Sequence, residues 1–175
     1  MNIRRFVPDD FEEVFLIEQE AFSDHDTFVY INFYEMNMNG FLVAVKNDEI
    51  VGFVVGYQLN ENEGRIFALA VKDEYKSRGI GTQLVHAILK IFYENSIQYA
   101  GLEVRISNVR AQKLYQRVGF VPCWIEKKYY FDGEDGIIMK IRTSPQCLLY
   151  ALDNPLQKQV IPIRNGPAFK IPGSI

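Results

Sequence analysis

The central segment of the sequence is "RIFALAVKDEYKSRGIGTQLVHAILKIF", residues 65–92. Residues 65–71 are almost continuously apolar, which predicts a strand covered on both faces. The last part of the segment carries apolar residues at helical spacing, which predicts a helix with one buried face. These residues are Leu84, Ala87, Ile88, Ile91 and Phe92. Gly79 and Gly81 lie between the two elements, beside cations, so the segment predicts a strand, an anion-binding turn and a helix.

The spacing of the two glycines distinguishes between kinds of anion site. A P-loop requires Lys and then Ser or Thr after its last glycine, but Gly81 is followed by Thr82 and Gln83. A dinucleotide-binding fingerprint requires a third glycine where this chain has Leu84. Two interpretations remain. Either the backbone N–H groups of residues 77–82 bind a pyrophosphate at the helix N-terminus, or the glycines only permit a tight turn.

Composition and charge exclude several classes of protein. The chain has 175 residues, enough for one domain, and 48% of them are hydrophobic, which excludes a disordered chain. Lys and Arg number 19 against 22 Asp and Glu, so we expect no nucleic-acid partner. No segment approaches the roughly 18 apolar residues of a membrane span, and the N-terminus does not have the pattern of a signal peptide. We therefore expect a cytoplasmic protein without membrane contact.

The cysteines and histidines indicate no further chemistry. Cys123 and Cys147 could pair, but a domain of this size needs no disulfide and a cytoplasmic compartment would reduce it. Neither cysteine has a nearby histidine that would activate it as a nucleophile. Because the chain has only two histidines, His25 and His86, we expect no metal site.

Other segments have the periodicity of regular structure. We expect a first helix with Asp9 as its N-cap and Glu18 on or beside its buried face. Strands are predicted at 2–6, 41–45, 50–59, 65–71, 100–107, 122–131 and 136–141. Further helices are predicted as a short helix after a loop within 23–40, after the glycine turn and at 108–119. Five of the seven prolines follow residue 144. We therefore expect a domain of residues 1–144 and a Pro-rich C-terminal extension of residues 145–175.

Three segments together resemble the GNAT superfamily of acyl-CoA-dependent N-acetyltransferases. They are the glycine turn, "LEVRISNVRAQKLYQRVGF" at 102–120 and "YYFDGEDGIIMKI" at 129–141. The turn signature of the family is Gln or Arg, two residues, Gly, one residue, and Gly or Ala; this chain has Lys76 in the first place. The resemblance covers residues 1–142 and is closest to the protein N-terminal acetyltransferases, including the RimI branch. It implies an α+β fold with a mixed, mostly antiparallel sheet and helices on both faces.

The resemblance implies that acetyl-CoA is the cosubstrate and lies where the strands at 65–71 and 100–107 splay apart. Main-chain groups of Leu69, Ala70 and Val71 would line the pantetheine arm, and the turn would bind the diphosphate. The turn residues concerned are Lys76, Ser77, Arg78, Gly79, Ile80, Gly81 and Thr82. Asn108 would also touch the pantetheine arm, although an N-cap is its simpler role.

Two residues are candidate catalysts by the same resemblance. Tyr115 would be the general acid that protonates the leaving thiolate; the alternative is a buried aromatic side chain. Glu103 would be the general base, acting directly or through a water; the alternative is a cross-strand ion pair. Glu18 is the alternative base, with Glu20 and Asp24 as weaker candidates of the same kind.

The substrate site would lie between two walls. Tyr129 and Tyr130 would flank the first residues of a peptide, with Glu18, Phe22 and residues 23–28 opposite them; the alternative for the tyrosines is a half-buried hairpin. We expect direct acetyl transfer to the α-amino group of a protein N-terminus in a ternary complex. A lysine side chain, a polyamine or another small amine is the alternative acceptor, and a non-catalytic CoA-binding subunit is the alternative to an enzyme. A homodimer through the extension is a further expectation.

Overall fold

The computed structural model describes residues 1–22, 27–36 and 39–145, and within them the chain forms one sheet of seven strands. The strands are β1 (Asn2–Arg5), β2 (Phe41–Lys46), β3 (Glu49–Gln58), β4 (Glu63–Val71), β5 (Tyr99–Arg105), β6 (Val121–Glu126) and β7 (Gly136–Arg142). Their spatial order is β1-β2-β3-β4-β5-β7-β6. Only β4 and β5 are parallel neighbours, so the predicted mixed and mostly antiparallel sheet is confirmed.

Helices cover both faces of the sheet, as predicted. The described helices are α1 (Phe11–Ala21), α2 (Thr27–Met36), α3 (Ile80–Glu94) and α4 (Val109–Val118). One apolar core joins α3 and α4 to the sheet, and a second core, rich in aromatic residues, joins α1 and α2 to the opposite face. Two glycines permit close approach of α3: a Cβ on Gly56 would lie 2.7 Å from Ile88, and one on Gly81 would lie 3.0 Å from Leu114 of α4.

The strands β4 and β5 part soon after they meet. Their parallel pairing consists of Glu63 with Tyr99, Gly64 with Ala100 and Arg65 with Gly101. The pairing of β3 with β4 is irregular just beyond this point, between Val55 and Gly56, as at a β-bulge. A bulge bends the strand that carries it, and active sites are common beside bulges. Beyond Arg65 the two strands therefore enclose a wedge-shaped gap in the sheet.

The beginning of α1 differs from the prediction that Asp9 caps it. A short 3-10 turn, Pro8–Asp10, precedes the helix, and it is the carboxylate of Asp10 that accepts the Val7 amide at 2.9 Å. The same carboxylate accepts both guanidinium nitrogens of Arg4, at 2.6 and 2.7 Å. A bidentate pair with arginine is among the stronger charge-assisted contacts. The pairing with Arg4 of β1 therefore explains why Asp10, rather than Asp9, takes the capping role.

The prediction of a last hairpin is confirmed, but the strand expected at 122–131 is too long. β6 ends at Glu126, so Tyr129 and Tyr130 lie in a loop. Lys128 there has φ of +52°, which is incompatible with a strand. Every helix in the described part of the chain is too short or too polar to span a membrane.

Candidate active site

The glycine turn presents unbonded backbone amides in front of α3. Within the part of the chain that the structure describes, no hydrogen bond is donated by the amides of residues 77–82. The first amides of a helix have no partner inside it, and they carry the positive end of its dipole. Ser77 and Gly79 have positive φ angles, +64° and +81°, which lets neighbouring amides point to a common side. The turn therefore fits the diphosphate of acetyl-CoA.

The side chains around the glycine turn contact neighbouring protein groups. The Arg110 guanidinium donates to the Ser77 hydroxyl at 3.0 Å, which ties the turn to α4. The Lys76 ammonium pairs with Asp73, which precedes the turn in the chain. The Arg78 guanidinium lies over the Tyr75 ring, 5.6 Å from its centroid. These contacts favour recognition of an anion by the main chain.

The free edge of β4 supplies main-chain groups along the gap. The amide of Lys72 bonds the Val51 carbonyl of β3 at 3.0 Å. The N–H and C=O of one residue point to the same side, and successive residues alternate. Val71 and Leu69 therefore direct their main-chain groups away from β3, into the gap with β5, whereas Ala70 directs its own toward β3. The edge fits the amides of a pantetheine arm at Leu69 and Val71.

Asn108 is the N-cap of α4, as the sequence predicts. Its side-chain oxygen accepts the Ala111 amide at 3.1 Å. The residue is exposed, and its role toward the pantetheine arm stays a prediction. Gly119 ends the helix with φ of +112°, the expected left-handed cap.

Tyr115 lies in α4, on the face of the sheet that carries α3. The residue is 7% exposed, and its ring meets Phe120 edge-on with 5.7 Å between the centroids. Within the described residues its hydroxyl makes no hydrogen bond, yet the oxygen is not among the fully buried ones. Burial raises the pKa of the Tyr115 phenol above its ordinary value, so the group keeps its proton at neutral pH. A protonated phenol with free bonding capacity suits a general acid.

Glu103 lies on the other face of the sheet, in an ion pair with Arg65. The Arg65 Nε donates to one carboxylate oxygen at 2.9 Å, and Nη2 contacts the other oxygen. The same Nη2 donates to the Tyr129 hydroxyl at 3.2 Å. The cross-strand ion pair, the alternative interpretation of Glu103, is therefore present. Sequence reasoning did not single out Arg65, and its only signal was a charge in an otherwise apolar strand.

Burial is the largest influence on the pKa values of Glu103 and Tyr129. It raises the pKa of the Glu103 carboxyl, and the charge of Arg65 and the hydrogen bonds from Arg65 and Tyr129 offset only part of that effect. Burial, with the nearby Glu103 charge, also raises the pKa of Tyr129 to about 12. A carboxylate whose pKa is raised toward neutrality is a better base for an ammonium than an ordinary surface carboxylate.

The loop between β6 and β7, residues 127–135, forms one wall of a cleft of about 420 Å³. Glu103, Arg65 and Tyr129 line this cleft. The loop is fastened to the end of β5 because Arg105 donates to Asp132 at 2.7 Å and to Glu134 at 2.8 Å. Further lining residues are Trp124, Glu126, Lys127, Lys128, Ile138 and Lys140. The cleft gives a polar, charged approach to the gap between β4 and β5.

Tyr130 stands beside Tyr129, with 5.0 Å between the ring centroids and an angle of 81°. Burial raises the pKa of the Tyr130 phenol, so both hydroxyls are protonated at neutral pH. The structure thus brings Tyr129 together with Glu103 and Tyr130, as expected of one wall of a peptide site.

Two residues predicted for the opposite wall do not line the cleft among the described residues. Glu18 is 3% exposed on α1, and burial raises the pKa of its carboxyl. Phe22 packs against the aromatic core beside α1. Residues 23–26, with Asp24 and His25, lie outside the described residues, as does Cys147. The structure places Glu103, rather than Glu18, at the cleft; the role of Glu18 stays a prediction.

Comparisons with known proteins agree with this geometry. An uncharacterized N-acetyltransferase of Methanocaldococcus jannaschii is 40% identical over 150 residues, which cover 84% of this chain and 94% of the relative. A ribosomal protein bS18-alanine N-acetyltransferase of Haemophilus ducreyi is 32% identical over 152 residues, 79% of this chain and 98% of the relative. The crystal structure of Ard1 from Thermoplasma volcanium has a TM-score of 0.78 at 28% identity, covering 82% of this chain and 97% of that one.

The family assignment includes the glycine turn, the gap and α4. The Acetyltransferase (GNAT) family matches residues 6–120, which contain the free amides at 77–82, Glu103 and Tyr115. The chain belongs to this family of acetyl-CoA-dependent N-acetyltransferases.

Proposed function

We propose that this enzyme acetylates the α-amino group of protein N-termini by direct attack on acetyl-CoA in a ternary complex. One observation carries the proposal: β4 and β5 part after Arg65, with Glu103 on one face of the sheet and Tyr115 on the other. A thioester in that gap is accessible from both faces. An amine can approach beside Glu103, and the leaving sulfur can face the Tyr115 hydroxyl.

The donor side of the site is built from main-chain groups. The amides of residues 77–82 would hold the diphosphate, and Leu69 and Val71 would pair with the pantetheine arm. Main-chain recognition tolerates changes of side chain, which explains why Lys76 can occupy the first position of the signature. This arrangement orients the thioester toward the gap and restrains its motion, which is a large part of what an acyltransferase supplies.

The free energy of deprotonation favours an α-amino group over a lysine side chain as the acceptor. An α-amino group with a pKa near 7.8 is neutral in about one molecule in seven at pH 7, and a lysine amine in about one in 2,500. Lysine therefore needs about 3.5 kcal/mol more to reach its nucleophilic form. A single carboxylate such as Glu103 suits the deprotonation of an α-ammonium group, which costs less free energy than that of lysine. The relative from Haemophilus ducreyi, named for acetylation of a ribosomal protein alanine, supports the same choice.

In the proposed reaction Glu103 acts as the general base and Tyr115 as the general acid. Glu103 accepts a proton from the ammonium, directly or through a water, and releases it to solvent. The neutral amine then forms a C–N bond with the thioester carbon, and the C–S bond breaks as the tetrahedral adduct collapses. Tyr115 gives its proton to the departing thiolate and regains one from the acetylated nitrogen through water. One proton is released overall, and no covalent acetyl-enzyme is required.

Residues 1–144 form the proposed catalytic unit, and residues 145–175 an appended extension. All described strands lie before residue 143, which supports this division. We expect a chain ending at residue 144 to keep its acetylation rate. We also propose that the extension mediates a homodimer, so light scattering should find a dimer for the full chain and a monomer for the shortened one. The proposed location is the cytoplasm, where new protein N-termini arise.

The decisive test is thiol release from acetyl-CoA with matched peptides. A panel of short peptides that differ in their first two residues is assayed with free and with chemically blocked N-termini, each containing one internal lysine. We expect turnover only with free N-termini, and mass spectrometry should place the acetyl group on the α-nitrogen. Equal turnover of the blocked peptides would reject the proposal in favour of lysine or another amine.

A further inference from the structure

Arg65 joins three separate elements at the mouth of the gap. It belongs to the last pair that links β4 to β5, since its partner in register is Gly101. Its Nε and Nη2 contact both carboxylate oxygens of Glu103, two residues further along β5. Its Nη2 also donates to the Tyr129 hydroxyl of the loop at 3.2 Å. One planar guanidinium thereby fixes the relative positions of a carboxylate and a phenol from distant parts of the chain.

The pair lies in a poorly solvated place. The side chain of Glu103 is 11% exposed and that of Arg65 is 24% exposed. A carboxylate this buried loses hydration and needs an opposite charge to stay ionised. The charged and titratable groups that face it are Arg65 and Glu63 of β4, Tyr57 of β3, and Tyr129 and Tyr130 of the loop, with Lys140 of β7 paired to Glu63. Arg65 is the cation that contacts Glu103 directly.

The contacts also leave room for a substrate. Each oxygen of an ionised carboxylate can accept hydrogen bonds at about two lone-pair sites. Arg65 takes one site on each Glu103 oxygen and the Tyr129 hydroxyl takes a third, so one site remains for an ammonium or a water. The carboxylate edge beyond Arg65 borders the cleft, because Glu103, Arg65 and Tyr129 are all lining residues.

We propose that Arg65 is a positioning residue for the acetyl transfer: it orients the Glu103 carboxylate and the Tyr129 hydroxyl toward the incoming amine. The proposal rests on the proposed function, because it gives the base of that reaction its partner. In this role Arg65 acts through Glu103 and would contact neither the thioester nor the leaving sulfur. Its charge keeps Glu103 ionised at a lower pH than burial alone would allow, and its shape keeps the remaining lone pair of the carboxylate aimed into the cleft.

A purely structural strut between β4 and β5 would predict a different outcome. Losing a strut lowers stability without moving the acid limb of kcat/KM, because the ionisation of Glu103 would not govern the rate. Arg4 with Asp10 provides the matched comparison, because it is also a bidentate arginine–carboxylate pair, formed between β1 and the 3-10 turn before α1. The substitution Arg4→Met removes the same contacts outside the cleft.

The experiment compares Arg65→Met, Arg65→Lys and Arg4→Met with the native enzyme. The Glu103 carboxyl carbon is titrated by carbon-13 NMR, with Glu103→Gln for assignment, and kcat/KM for a free N-terminal peptide is measured against pH. In Arg65→Met we expect the Glu103 midpoint and the acid limb of kcat/KM to move to higher pH together, with kcat/KM at pH 7 reduced about tenfold or more. Arg65→Lys should keep both nearer to the native values but lose rate. Arg4→Met should move neither.

Two results would overturn the proposal. One is an unchanged Glu103 midpoint in Arg65→Met; the other is a shifted midpoint with an unmoved acid limb. Should Arg65→Met not fold, a native kcat/KM in Arg65→Lys would overturn it equally, since lysine cannot make the two-point contact. Failure of the proposed function would be recognised differently, because the native enzyme would then show no turnover with the peptide. The titration would still report whether Arg65 sets the charge of Glu103.

Discussion

Tyr130 lies over the guanidinium of Arg105, whose central carbon is 4.0 Å from the ring centroid. The same guanidinium donates to Asp132 and Glu134 further along the loop, and the Glu134 carboxylate accepts the Ser107 amide at 2.8 Å. The last residue of β5 therefore fastens the loop that carries Tyr130 and Tyr129, of which Tyr129 lines the cleft. A fastened loop presents these rings at a smaller ordering cost when a peptide binds.

This attachment predicts a selective defect in Arg105→Met. Removal of the guanidinium releases Asp132 and Glu134 and takes away the support under Tyr130. We expect KM for the peptide to rise about tenfold, while KM for acetyl-CoA stays unchanged, because a loosened loop misplaces only the acceptor. Steady-state kinetics with each substrate varied in turn measure this. Arg117→Met, an exposed arginine of α4, is the control and should behave as the native enzyme. An equal rise of both KM values would contradict the assignment.

The Tyr115 hydroxyl should be needed for the rate but not for the fold. Tyr115→Phe keeps the buried ring against Phe120 and removes only the acid. We expect kcat to fall by roughly 100-fold or more with an unchanged Tm, since general acid catalysis contributes on this scale. Tyr99→Phe, at an exposed tyrosine, is the matched control. A native kcat in Tyr115→Phe would mean that solvent protonates the thiolate and that the side chain serves packing alone.

Gly79 should matter for acetyl-CoA more than for stability. A Cβ at this position would meet only the Gln83 side chain, at 4.0 Å, so Gly79→Ala creates no clash within the protein. The cost arises from φ of +81°, about 1–2 kcal/mol for a residue other than glycine.

We expect Gly79→Ala to relax the turn, raise KM for acetyl-CoA and lower Tm by about 2–8 °C. Gly119→Ala, at the left-handed cap of α4, should lower Tm similarly and leave that KM unchanged. Isothermal titration with CoA gives an independent measurement. Native affinity in Gly79→Ala would show that the turn does not bind the diphosphate.

Glu18 should make stability fall as the pH rises. Burial raises the pKa of its carboxyl, so the protonated form is favoured by folding. Such a group stabilises the fold most below its unfolded pKa, and this contribution is lost as the pH rises through the folded pKa. We expect Glu18→Gln to raise Tm at pH 8 by about 2–4 °C and to equal the native protein near pH 4. Thermal melts across this range measure it, with the exposed Glu12→Gln as the control. A less stable Glu18→Gln at pH 8 would mean that the fold requires the ionised carboxylate.

Most features that depend on neighbouring residues were predicted correctly; the exception is the Asp9 cap, because the pairing of Asp10 with Arg4 decides that helix start. The glycine turn, the cap at Asn108 and the left-handed end at Gly119 follow from backbone dihedral preferences and from short-range hydrogen bonds. The spacing of apolar residues likewise predicted nearly every strand and helix, because each amphipathic segment has one face that must be buried. The resemblance added the family, which the comparisons confirm.

Features that depend on distant segments were missed or displaced. Arg65 is 38 residues from Glu103, and their contact exists because the register pairs Arg65 with Gly101 and then lets the strands part. The tyrosines were expected in a strand, but β6 ends early at Glu126.

The sequence by itself determined the elements, the turn chemistry and the family. Only the tertiary structure decided which charges meet at the gap and that Glu103 borders the cleft. The physical reason is that strand register and burial are set by the packing of the whole sheet, whereas the glycine turn and the caps at Asn108 and Gly119 are set within a few residues.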